Sequence, residues 1–259
     1  MIEGVQSPES TIRDMMNLLI RADADAQIGT GHVMRCLALA QACRAQGGAA
    51  VFLSHCESGA LRQRIEDAGI GFIPLEEPHP APCDLQTTFS VLAQLATGNW
   101  QLATSFLILD GYHFNPAYQH AVRTAGHRLL VIDDTGHLPH YHADVLLNYG
   151  LSATRLPYRC DADTLLLLGP RYALLRPEFL TWGGWQREIP DVARKVLVTL
   201  GGADPNNVTL KVMQALQQLN VPGLEVRSVV GPANPHLKAL QRAVQPFPCH
   251  VQLLTGVTD

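Results

Sequence analysis

The chain has 259 residues, 47% of them hydrophobic and 16% charged, with a formal net charge of −4. That length can bury more than one average core, so two lobes are expected. The charge argues against a nucleic-acid or anionic-membrane surface and leaves any anion site to local features. Six cysteines (Cys36, Cys43, Cys56, Cys83, Cys160 and Cys249) form no Cys-X-X-Cys pair, which suits reduced thiols in a cytoplasm better than a disulfide scaffold. No apolar run has membrane-spanning length and no cleavable signal is visible.

Met1 to Met16 is polar, and Met15 or Met16 is expected to be the true start, with the preceding residues an extension. Leu18-Leu19-Ile20 predicts a buried strand. It leads through Arg21-Ala-Asp23 and the glycine-bearing loop Gly29-Thr-Gly31 into a helix with Val33, Cys36, Leu37, Ala40 and Cys43 in helical spacing. Gly47-Gly48 ends that helix. Strand, glycine turn and helix N-terminus together make an anion site, because free N–H groups and the helix dipole converge there. His32 lies at the first turn, where the dipole disfavours an imidazolium, so a neutral ring able to accept a proton is expected. Arg35 lies one turn on and could meet a phosphate. A cap or surface role for His32 fits the spacing as well. No Gly-Lys-Ser/Thr follows, so this is no P-loop, and the third glycine of a dinucleotide fingerprint is missing.

Further strands are expected at Ala50–Leu53, Phe72-Ile73, Phe106–Leu109, Leu129–Ile132, Val145–Leu147 and Leu165–Leu168, with helices at about 60–68 and 85–96. Proline blocks regular structure between Glu76 and Pro82. Strands alternating with helices imply a parallel sheet. Asp110-Gly-Tyr112-His113 falls at a carboxyl edge, where open α/β sheets place ligands, although position alone favours a turn in which Asp110 caps the next helix and Tyr112 packs. Asp133-Asp134 repeats the pattern: one aspartate could orient a base or contact a ligand, or both could cap a turn. His137, His140 and His142 match no standard zinc spacing and show no acidic partner in register, so no metal is expected.

Trp182 to Pro190 reads as a hinge. The second lobe opens with Val196–Leu200 and Gly201-Gly202-Ala-Asp204-Pro205, with Asp204 expected as helix cap and Pro205 at the first helical position. Val208, Val212, Ala215, Leu216 and Leu219 are the expected buried stripe. Val226–Val230 is followed by Asn234 as a second cap, and a last strand is expected at about 250–254.

These motifs resemble a known family. Arg21-Ala-Asp23, Ile28-Gly-Thr-Gly-His32-Val-Met-Arg35-Cys, Leu109-Asp-Gly-Tyr112-His-Phe, Val131-Ile-Asp-Asp134, Leu168-Gly-Pro-Arg-Tyr-Ala-Leu-Leu-Arg-Pro-Glu178 and Thr199-Leu-Gly-Gly-Ala-Asp-Pro-Asn-Asn207 occur in order. Together they look like the UDP-2,4-diacetamido-2,4,6-trideoxy-β-L-altropyranose hydrolases of pseudaminic acid biosynthesis. The resemblance implies an α/β, GT-B-like fold of two Rossmann-like parallel-sheet domains, here with the second incomplete and the gene product truncated at its C-terminus. It implies residues 1–16 as an extension, 17–180 as a catalytic sugar-binding domain, 181–193 as hinge and 194–259 as a partial nucleotide-binding domain.

The resemblance also implies a catalytic histidine at His32, attack of water at the anomeric carbon with inversion, no metal and no cofactor. Tyr112 would line the sugar pocket, Arg21, Asp23, Gly29, Gly31 and Arg35 would shape it, and Gly201 and Gly202 would approach the nucleotide. The expected partner is a small-molecule UDP-sugar, with no nucleic acid or membrane and a monomeric cytoplasmic protein. A glycosyltransferase of the same fold and an inactive nucleotide-sugar-binding remnant are the alternatives.

Overall fold

The computed structural model describes residues 16–97, 105–219, 221–231, 234–245 and 250–257. The expected N-terminal extension lies outside these apart from Met16, as does Cys249. The first sheet contains β1 (Asn17–Arg21), β2 (Ala49–Ser54), β3 (Gly71–Pro74), β4 (Ser105–Asp110), β5 (Arg128–Ile132), β6 (Val145–Asn148) and β7 (Leu165–Leu168). All neighbours are parallel, in the order β3-β2-β1-β4-β5-β6-β7. Helices α1 (Gly31–Ala45), α2 (Gly59–Asp67), α3 (Asp84–Thr97) and α4 (Pro116–Thr124) make crossovers within it.

The continuous apolar run of β1 follows from burial on both faces. Leu18 and Ile20 join Val33, Cys36, Leu37 and Ala40 of α1 in one core. Leu19 joins Leu107, Leu109, Val91 and Val122 in the other. Truncating any one of these leucines to alanine is expected to cost about 2–5 kcal/mol. Strand order reverses between β1 and β4: the chain first steps outward through β2 and β3, then returns to place β4 on the other side of β1. In open α/β sheets ligands bind at such a switch point, outside the carboxyl ends of the strands, here those of β1 and β4.

Asn115 caps α4, its Oδ1 accepting the Tyr118 N–H at 2.9 Å, with Pro116 at the first helical position. The alternative reading of Asp110 as that cap is therefore corrected, and Asp110 is left for other partners.

After α5 (Pro177–Leu180), residues 181–194 contain neither helix nor strand. A second parallel sheet follows, of β8 (Lys195–Thr199), β9 (Glu225–Val230) and β10 (His250–Thr255), in the order β10-β9-β8. Helices α6 (Val208–Gln217) and α7 (Leu237–Val244) connect its strands. Val198, Met213, Leu224 and Val226 form its core. Val198 is 5% exposed and the adjacent Leu197 65%, so β8 is covered on one face only.

Three expectations for this unit are corrected. The buried stripe of α6 runs through Thr209 and Met213, with Val212 and Leu216 partly covered, while Val208, Ala215 and Leu219 are exposed. Pro205 is not the first helical residue: Asn207, in the left-handed region at φ 48°, precedes α6. Asp204 still accepts the N–H groups of Val208 and Thr209, at 2.8 and 2.9 Å, but from outside the helix. Asn234 does not cap α7 directly. It accepts the His236 N–H at 2.7 Å in the turn before it, and His236 occupies the cap position.

Candidate active site

The first βα loop is built by its own residues. Asp25 Oδ1 accepts the N–H groups of Gln27 and Ile28 at 2.7 and 2.6 Å, and the Asp25 carbonyl accepts that of Gly29 at 2.9 Å. Gly29 sits at φ +77°, a conformation that side chains rarely adopt. Gly31 is different: its backbone is ordinary and a Cβ placed there would meet nothing within 4 Å. Neither conformation nor packing within the chain therefore calls for glycine at this position. Thr30 precedes α1 without a side-chain capping bond, and the first turn carries no acid, so the amides of the first turn remain available to an anion.

His32 and Asp110 meet across the switch point. His32 Nδ1 lies 2.7 Å from Asp110 Oδ1. Arg35 grips the same carboxylate with two bonds, Nε to Oδ2 and NH2 to Oδ1, both at 2.5 Å. Its NH1 donates to Asp134 Oδ2 at 2.9 Å. Arg35 NH2 also stands 3.0 Å from His32 Nδ1 because the two donors share one acceptor. The network assigns the proton to Nδ1, since a bare Nδ1 would set its lone pair against the carboxylate. Nε2 then has no hydrogen-bond partner among the described residues and is the basic atom of the ring. Tyr112 stands edge-on to His32 with ring centroids 5.0 Å apart. It donates to Asp134 Oδ1 at 2.7 Å. Burial, then that bond to Asp134, push its phenol up to about 12, so it remains a donor at neutral pH.

Arg35, expected to meet a phosphate, is engaged by carboxylates in this geometry. Its guanidinium is held by Asp110 and Asp134, and although burial opposes its charge, the bonds to Asp110 hold it firmly protonated. The two readings of Asp133-Asp134 divide between the residues. Asp133 caps a turn, accepting Thr135 and Gly136 N–H groups at 2.9 and 2.6 Å, whereas Asp134 faces the site. Orientation of the imidazole falls to Asp110, a partner the sequence reading did not assign. Its only signal was an aspartate closing a buried strand at the carboxyl edge.

Arg21 and Asp23 lie beneath this floor with no exposed surface. Arg21 pairs with Asp84 and with Asp23 (3.2 Å), donates to the Leu53 carbonyl at 2.7 Å and stacks over Phe114. Asp23 accepts backbone N–H groups of His55 and His79 at 2.9 and 3.0 Å. Burial would raise its pKa, but His113 at 3.5 Å, Arg21 and the two amides overcome that and hold it at about 2. Both residues are therefore fully buried beside the loop and engaged with partners inside the protein. Across the cleft, Gly201 takes φ +78°, and a Cβ on Gly202 would come 3.8 Å from Thr30 Oγ1. The glycine loops of the two sheets therefore face each other.

Among the described residues no cysteine joins the histidines after β5, but the expectation that they lack an acid is corrected. Asp161 lies against His140 and His142, brought there by a bridge between Tyr141 and Cys160. Among the described residues no helix is long and apolar enough to cross a membrane.

No protein-family model matches the chain. Over 241 residues it is 24% identical to the UDP-2,4-diacetamido-2,4,6-trideoxy-β-L-altropyranose hydrolase of Campylobacter jejuni, covering 88% of this chain and 74% of that protein. The resemblance read from the motifs thus extends over most of the chain. Among solved structures, Acinetobacter baumannii MurG superposes with TM-score 0.53 at 18% identity, over 94% of this chain and 69% of its own. Anabaena Alr3699/HepE, in complex with UDP-glucose, does so with TM-score 0.54 at 14% identity, over 94% and 70%. The fold is α/β and GT-B-like.

Proposed function

We propose that the chain hydrolyses a UDP-linked diacetamido-trideoxy sugar to free sugar and UDP, with His32 as general base. UDP is a good leaving group, so the sugar–phosphate bond needs little acid assistance. The reaction requires a water aimed at the anomeric carbon, a base for its proton and compensation for the departing diphosphate.

The observation that carries the reading is the His32–Asp110 contact of 2.7 Å at the β1/β4 switch point. Asp110 fixes the tautomer and stabilises the imidazolium that forms when Nε2 takes the proton of water, as the aspartate of a catalytic triad does. Arg35 holds Asp110 in place with two bonds. Water attacks as the C1–O bond to UDP breaks, the configuration inverts, and the proton passes to solvent from Nε2. With Arg35 engaged, the negative charge of UDP falls to the free amides at the start of α1 and to the backbone of Gly201 and Gly202 opposite. Open space before Gly31 allows the ligand to approach the backbone. The Tyr112 phenol oxygen, whose proton goes to Asp134, and the Asp134 carboxylate supply acceptors for the sugar's hydroxyl or amide groups.

The similarity to the Campylobacter jejuni hydrolase favours water as acceptor. The GT-B neighbours favour a second reading, a glycosyltransferase in which a hydroxyl takes the place of water. Incubating the chain with the diacetamido UDP-sugar and following free UDP separates the two. Hydrolysis predicts stoichiometric UDP and free sugar with no acceptor added. Release only on addition of an acceptor supports the transferase, and tight binding without release supports a binding remnant.

A further inference from the structure

We propose that His140, His142 and Asp161 form a binding site for a divalent first-row transition ion, Zn²⁺ foremost, with His120 within reach as a further donor. These residues take no part in the reaction above. They precede β6 and β7 and stand beside α4, toward the amino edge of the sheet.

The backbone places the donors before any ion arrives. Tyr141, fully buried, anchors the segment between the two histidines, so residues 140 and 142, at i and i+2, share the opposite face. The Tyr141 N–H donates to the Arg159 carbonyl at 2.8 Å, and the Asp161 N–H to the Tyr141 carbonyl at 3.3 Å, which sets Asp161 alongside. A third tie comes from the His142 N–H, which donates to the buried Gln119 Oε1 at 3.0 Å. A site built on fixed backbone needs little rearrangement to bind.

The side chains converge on one point. His140 Nε2 is 2.8 Å from Asp161 Oδ1, and His142 Nδ1 is 3.0 Å from the same oxygen and 3.2 Å from Oδ2. All candidate ligand atoms lie within 4.8 Å of one another. Zinc bonds of ~2.0–2.2 Å in a tetrahedral site put neighbouring ligand atoms ~3.3 Å apart. An expansion of the two histidine–aspartate separations by a few tenths of an ångström, with the imidazole nitrogens drawing together from at most 4.8 Å, admits the ion in place of the imidazole–carboxylate bonds. The imidazoles of His140 and His142 have centroids 4.6 Å apart, and His120 from α4 stands 4.9 Å from His142. Two imidazoles with a carboxylate suit Zn²⁺, Ni²⁺ or Cu²⁺ and not the oxygen-seeking Mg²⁺ or Ca²⁺. The three side chains are between 24% and 38% exposed, which leaves solvent access for the ion and for a water ligand.

The test is a titration of the full chain with Zn²⁺ by calorimetry and with Co²⁺ by visible absorption. The proposal expects one equivalent bound, Co²⁺ ligand-field bands without thiolate charge transfer, and at least a tenfold loss of affinity in a His140→Ala/His142→Ala double variant and in Asp161→Asn, by analogy with the roughly 10–100-fold typical of weaker, outer-shell changes. No stoichiometric binding, equal binding by the double variant, or a thiolate band would overturn it. Should the double variant fail to fold, imidazole nitrogen shifts in the unsubstituted protein decide: movement of His140 Nε2 and His142 Nδ1 on adding Zn²⁺ supports the site, and unchanged shifts refute it. The outcome is independent of whether the chain releases UDP.

Discussion

Two groups of charged side chains lie at the end of β1, and they differ in one respect that matters for function. Arg21, Asp23 and Asp84 face one another with no exposure above a few per cent, and their charges meet inside the protein. His32, Arg35, Asp110 and Asp134 again join an arginine to two aspartates, now with a histidine, and the arrangement leaves His32 Nε2 without a hydrogen-bond partner among the described residues and Asp134 partly exposed. Removing a member of the closed group breaks buried ion pairs. Removing His32 leaves the other three still paired with one another. The closed group is therefore expected to act on stability, and the open group is the one the proposed reaction uses.

Changes to each group sharpen this contrast. Arg21→Ala strands two buried carboxylates, and urea unfolding should show a loss of about 3–5 kcal/mol, with the rate of UDP release per folded molecule little changed. A large rate loss in the folded fraction would erase the distinction. Asp110→Asn should act the other way. It takes away the negative charge and turns one of the two oxygens shared by Arg35 and His32 into a donor, so the His32 tautomer is no longer fixed and UDP release should fall about 10²-fold or more, equivalent to ~2.7 kcal/mol in the barrier, with KM little altered.

Acid provides a third test. Asp23 is held at about 2, below its ordinary 3.8, so the stability it contributes is complete above the ordinary carboxylate range and is lost as pH falls from about 4 through about 2. The difference corresponds to about 2 kcal/mol. Asp23→Asn should flatten that limb of the stability profile, and an unchanged limb would remove Asp23 from the account. The smallest structural effect is expected at Gly31. Alanine there meets no atom within 4 Å and should raise stability by up to about 0.5–1 kcal/mol, while weakening UDP binding in a calorimetric titration. Unaltered binding would show that the ligand does not approach this backbone.

Legibility in the sequence followed the reach of the interactions. The strand β1, the glycine loop and α1 could be read because a continuous apolar run, a turn and a 3.6-residue stripe are local patterns. Asp110 could not be assigned to His32 in this way, because the two are 78 positions apart and only strand order makes them neighbours. Likewise Arg21 and Asp23 sit beside the loop in sequence, yet the fold turns them inward to Asp84, 63 positions from Arg21. In the second sheet the stripe of α6 was misphased: Asn207 delays the helix start, and one-sided packing leaves Val208 and Leu219 outside. Asp161 was missed for a similar reason, since a bridge between Tyr141 and Cys160 brings it to the histidines.

The most direct test is single-turnover release of UDP by His32→Ala, with affinity for UDP measured on the same preparation. An imidazole that takes the proton of water predicts release slower by about 10²–10⁴-fold with UDP affinity and unfolding midpoint preserved. Release at the unsubstituted rate, or a loss explained wholly by weaker binding, would contradict it.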